Sequence, residues 1–132
     1  MPQAKGTFEV KIVPLPPDAG ASDTTLGRMS LDKQIHGDLE ATGKGQMMTA
    51  GTPSSSGVYV AIERVTGTLH GRNGSFVLHH TGIMTRGQPQ LTIAVVPDSG
   101  TDELVGISGN LSIEIADRKH FYTFDYTLPE NS

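Results

Sequence analysis

At 132 residues, the chain has the length of one domain, able to bury roughly two-thirds of its unfolded surface without disulfides or metals. It has no cysteines, which excludes thiol catalysis, iron–sulfur clusters and thiolate zinc sites. Net charge is −4, the ten Lys and Arg form no stripe, and aromatics are 5% of the chain, so a nucleic-acid partner is not expected.

The opening MPQAKGTFEV has no apolar h-region and runs at once into a strand pattern. The expectation is neither signal peptide nor membrane span, and a cytoplasmic protein. From Thr7 to Pro14, Phe8, Val10 and Ile12 alternate with Thr7, Glu9 and Lys11, as in a half-buried strand. Leu15 to Thr25 is rich in Pro, Asp, Gly and Ser and reads as a loop. Arg28 to His36 puts Met29, Leu31 and Ile35 on one side, with Lys33 intruding into that apolar stripe. Leu39 to Ala50 follows as a strand in which Gly43 and Gly45 suggest a bend or bulge at a barrel corner. Thr52 to Gly57 is another loop.

The segment from Val58 to Met84 carries the strongest local signal, Asn73-Gly74 between two alternating apolar runs. A type I′ turn there would place Gly71 opposite Phe76, Leu69 opposite Leu78, Gly67 opposite His80 and Glu63 opposite Met84. These residues share one largely apolar face, so Glu63 and His80 point inward and His79 outward. Leu91 to Pro97 is apolar on both faces, which predicts cover by loops or another subunit. Asp98 to Gly106 is a loop; Leu111 to Ile115 and His120 to Leu128 alternate as strands, the last with Tyr122, Phe124 and Tyr126 on one side. Eight strands with short connections favour an all-β fold, an eight-stranded antiparallel β-barrel whose closure removes exposed edges, with a sandwich as the alternative.

GTFEV, HGDLEATG, ERVTGTLHGRNGSFVLHHTG, VVPDSGTDELVGISG and YTFDYTL together span nearly the whole chain. On these segments the sequence resembles a family of small bacterial domains of unknown function with an allene oxide cyclase-like barrel. GTDELVGISG also looks like a turn of plant allene oxide cyclase and dirigent proteins. The resemblance implies the barrel and a homo-oligomeric habit, with a dimer preferred. It brings no accepted activity, and no cyclase catalytic residue aligns here.

Glu63 is the most suggestive side chain, a carboxylate on an apolar face, where desolvation would raise its pKa. Its structural alternative is an ion pair tying strands together, with Lys33 as the candidate partner. His80 sits inward as a second titratable group, though the Asn73-Gly74 register keeps it about 13 Å from Glu63 along the ladder. Tyr122 and Tyr126 could orient a ligand through their hydroxyls, although packing is the commoner use. No metal site is expected, since His79 and His80 point to opposite faces and the other histidines are dispersed. No GxSxG elbow occurs, and GRNGSF lacks the Lys-Ser/Thr of a phosphate loop.

The candidate ligand-binding set is therefore Glu63, His80, Tyr122, Tyr126 and Lys33, with no cofactor. The leading expectation is a barrel that binds a small apolar ligand in its interior. The alternatives are a cyclase or isomerase acting on an apolar substrate, and a filled barrel serving assembly. If Glu63 serves a ligand rather than the fold, Glu63→Gln should leave the melting temperature nearly unchanged.

Overall fold

The computed structural model describes residues 2–15 and 26–129; most of the Leu15–Thr25 loop lies outside them. Eight strands follow in order: β1 (Gln3–Pro14), β2 (Leu26–Gly37), β3 (Leu39–Gly51), β4 (Gly57–Leu69), β5 (Arg72–Thr85), β6 (Gln88–Val95), β7 (Ser108–Ala116) and β8 (Lys119–Thr127). Each pairs antiparallel with the next, and β8 pairs back onto β1 to close the barrel. A 3₁₀ turn at Asp102–Leu104 is the one helical element among the described residues. The sandwich is thereby ruled out.

The central hairpin departs from the expected register. Its turn is His70-Gly71, with φ of 46° and 81°, and Leu69 pairs with Arg72. Two consecutive positive φ values are what a two-residue type I′ loop needs. Glu63 therefore faces Leu78 instead of Met84, a slide of six residues. An even slide keeps every side chain on its expected face, so Ala61, Glu63, Val65 and Leu69 still point inward with Phe76, Leu78 and His80.

Long-range contacts explain why Asn73-Gly74 lost the turn. Asn73 donates its backbone N–H to Glu103 Oε1 at 2.9 Å, Ser75 donates to Thr101 Oγ1 at 3.0 Å, and Thr101 donates back to the Ser75 carbonyl at 2.8 Å. A Cβ on Gly74 would lie 2.3 Å from the Thr101 carbonyl oxygen, so glycine serves close approach here and not a turn. Leu104 follows that segment and is fully buried.

The β3 glycines also differ from expectation. β3 runs in unbroken register with both neighbours, Gly43 facing Lys33 on one side and Val65 on the other, so there is no bulge. A Cβ at Gly43 would stand 2.3 Å from Glu63 Oε2. The glycine makes room for a carboxylate.

The two ends of the barrel are unlike. The end with the Gly37–Leu39 link, the His70-Gly71 turn and the 96–107 connection is packed by Ala4, Leu39, Leu69, Phe76, Leu104 and Phe124, all at most 1% exposed. Toward the other end the inner positions lose cover, and Ile12, Met84, Leu91 and Ile115 are exposed. Within β6, Ile93 and Val95 are buried inward while Ala94 is half-buried and Thr92 exposed. On the outer wall, Met48, Val58, Val60, Ile62 and Ile83 of β3, β4 and β5 are exposed apolar residues, Met48 facing Val60 and Val58 facing Ile83.

Gly71 has open space around its absent Cβ and a positive φ, whereas Gly51 has open space without it. Gly71→Ala should therefore cost about 1–2 kcal/mol through the left-handed backbone alone. Gly51→Ala should be close to neutral. Urea midpoints of the two variants check this; equal effects would remove the turn from His70-Gly71.

Candidate functional site

The alternation of β2, β4 and β5 delivers Lys33, Glu63 and His80 to one level of the interior. Lys33 Nζ donates to Glu63 Oε1 at 2.8 Å, and His80 Nε2 lies 2.7 Å from the same oxygen. Glu63 is 0% exposed, with Lys33 at 5% and His80 at 6%. The corrected register brings His80, opposite Ala61, one inner position from Glu63. The separation of about 13 Å expected from sequence was an artefact of the wrong turn.

Lys33 also lies over the Phe8 ring, 4.7 Å from its centroid, a cation–π contact that compensates part of its desolvation. His120, opposite Phe8 on β8, stacks on the same ring with centroids 4.9 Å apart. Glu63 Oε2 is buried without a hydrogen bond, turned toward the backbone of Gly43. Burial pushes the Glu63 carboxyl up, but the His80 hydrogen bond and the Lys33 ammonium outweigh it and hold the pKa below its ordinary value. The sequence-level expectation of a raised pKa is thus reversed. An ionised carboxylate only accepts, so His80 carries its proton on Nε2. Its Nδ1 makes no hydrogen bond among the described residues.

The two candidate tyrosines stand elsewhere. The Tyr122 hydroxyl accepts the Leu39 N–H at 3.0 Å and donates to the His36 carbonyl at 3.0 Å, clamping the β2–β3 link. Tyr126 bonds His70 Nδ1 and stacks near Phe124, securing the β4–β5 turn at the packed end. Burial raises the pKa of both hydroxyls. These are packing tyrosines with satisfied polar tips, and they do not join the Lys33–Glu63–His80 cluster.

Tyr59 was not singled out from sequence. It pairs with Gly82, and its ring occupies the space a Cβ there would need, 2.2 Å from Cε1. Burial first, then the Glu63 carboxylate, holds its hydroxyl above the ordinary pKa. Tyr59, Gly82, Met84 and Leu91 border a recess of about 350 Å³ at the less covered end. They share the inward phase of Glu63 and His80 along their strands. An aromatic opposite a strand glycine was a readable signal, but only in the correct register.

No group of three His, Cys, Asp or Glu side chains among the described residues is placed to hold a metal ion. No described helix is long and apolar enough to cross a membrane. Residues 4–126 match the family described as "Protein of unknown function (DUF3224)". The crystal structure of a protein of unknown function from the DUF3224 family of Shewanella oneidensis MR-1 is similar throughout. It is 46% identical, covers 99% of this chain and 99% of its own, and superposes with a TM-score of 0.91. No curated protein matches.

Removing one charge from a buried pair strands the other, at a cost of about 3–5 kcal/mol. Glu63→Gln should therefore lower the melting temperature substantially, unlike the near-neutral effect expected of a residue serving only a ligand. Lys33→Met combined with Glu63→Leu should recover most of the loss. Because the folded-state pKa of Glu63 is lowered, the stability from its ionisation is fully present above the ordinary carboxylate value and lost as pH falls through the lowered one. Chemical denaturation between neutral and acid pH should show that loss in the wild type and not in Glu63→Gln.

Proposed function

This chain belongs to the DUF3224 family of proteins of unknown function, and from that premise we propose that it binds a small, largely apolar molecule at the less covered end of the barrel. The observation that carries this reading is the recess of about 350 Å³ bordered by Tyr59, Met84 and Leu91, one inner position beyond His80. Small-molecule sites of this kind combine apolar walls with a few placed polar groups, and its volume lies within the usual range for them. A buried ionic cluster is seldom the most stable filling for a core, which favours a role beyond packing for Lys33, Glu63 and His80. The enzyme alternative uses the same residues, with the imidazole held by Glu63 as the proton acceptor.

Leu91 is 43% exposed, so Leu91→Arg places a charge in the recess without emptying the core. Native mass spectrometry of freshly purified protein should show a bound small molecule in the wild type, and Leu91→Arg should lose it with little change in melting temperature. A wild type carrying nothing, and taking up no apolar probe, contradicts the reading.

The outer wall supports a second role in assembly. Val60 and Ile62 are 47% and 63% exposed on adjacent outward positions of β4, beside Met48 and Ile83. Two copies of this face brought together would remove that apolar surface from water. Light scattering should give a dimer mass for the wild type and a monomer for Ile62→Lys. A monomer across a wide concentration range for the wild type rules this out.

A further inference from the structure

We infer that the recess and the Lys33–Glu63–His80 cluster are two halves of one site, with the Tyr59 ring between them, and that its ligand class is an apolar molecule ending in a neutral hydroxyl. This rests on the ligand-binding reading and specifies its chemistry.

Continuity comes from the strand phase. Along β5 the inward positions run Leu78, His80, Gly82 and Met84, and along β4 Glu63, Ala61 and Tyr59, so the cluster passes directly into the recess lining. Gly82 has no side chain to fill this passage; the Tyr59 ring lies over it instead. A ring held by packing at a half-buried position can turn aside, whereas a backbone wall cannot. Electrostatics agree, since the Glu63 carboxylate acts on the Tyr59 hydroxyl.

The unused hydrogen-bonding capacity selects the head group. The Lys33 ammonium has three donors and spends one on Glu63. His80 spends its Nε2 proton on the same oxygen, so the singly protonated ring keeps a lone pair on Nδ1. Glu63 Oε2 adds a second unfilled acceptor, fully buried. A hydroxyl can donate to His80 Nδ1. A carboxylate offers only lone pairs, and it would meet the Glu63 charge in a setting where like charges repel strongly. Lys33 is already balanced by Glu63, and no other Lys or Arg borders the recess to hold an anionic ligand.

The test compares 1-decanol with decanoate, at slightly alkaline pH, by displacement of a neutral fluorescent apolar probe from wild type and His80→Phe. The phenyl ring keeps the volume of the imidazole and leaves the Lys33–Glu63 pair intact. Wild type should bind the alcohol at least roughly tenfold more tightly than the carboxylate, and His80→Phe should erase that preference while still taking up the probe. Tyr59→Ala, which removes the cover, should keep the preference and speed alcohol association. Equal binding of the two ligands, or a preference unchanged in His80→Phe, overturns the hydroxyl site but leaves an apolar recess that binds. Failure of probe and both ligands alike overturns the ligand-binding reading itself. Where His80→Phe proves unfolded by circular dichroism, His80→Leu, which also removes the acceptor, replaces it with the same expected loss of preference.

Discussion

One carboxylate oxygen, Glu63 Oε1, receives both the Lys33 ammonium and the His80 imidazole inside a barrel otherwise lined by aliphatic and aromatic side chains. Taking a carboxylate and an ammonium from water costs several kcal/mol each, and their attraction offsets this only in good geometry. Three strands must therefore meet in one register for the interior to be tolerable at all. β2 supplies the cation, β4 the anion and β5 the imidazole, while β3 contributes a glycine where any side chain would collide with the carboxylate. Slipping β2 or β4 by one residue would turn its charged group outward and leave the partner buried alone.

The packed end protects that arrangement. The 96–107 connection folds its 3₁₀ turn against the start of β5, and Leu104 joins Phe76, Phe124 and Leu69 in the core. Tyr122 and Tyr126 finish the same end by bonding the β2–β3 link and the β4–β5 turn. Stability is thus concentrated on one side of the ionic cluster. On the other side the inner positions are partly exposed, which is where a ligand could be exchanged without opening the fold.

Much of this was legible in the sequence, and the failures are physically specific. Alternation in β1, β7 and β8, and the inward phase of Glu63 and His80, follow from a period of two that tertiary structure did not alter. Lys33 announced itself as a charge in an apolar stripe. The hairpin turn did not, because Asn73-Gly74 is the better local turn and His70-Gly71 won through contacts with Thr101 and Glu103, roughly thirty residues away. The even slide preserved the faces but concealed the Glu63–His80 contact, the function of Gly43 and the pairing of Tyr59 with Gly82. Tyr126 was drawn into the candidate pocket because strand phase specifies a face and not a depth; in the barrel it lies beside His70 at the packed end.

The central claim is that His80 is held, through its Nε2 proton, on an ionised and sealed Glu63. Long-range proton–nitrogen correlation spectra of the histidine rings, with His80 assigned by substitution, observe that proton directly. The account predicts a neutral-pH signal from an Nε2-bound proton on His80 that is shifted by a strong hydrogen bond and exchanges slowly with water. An Nδ1-protonated ring, or an Nε2 proton exchanging as fast as that of exposed His79, would contradict it.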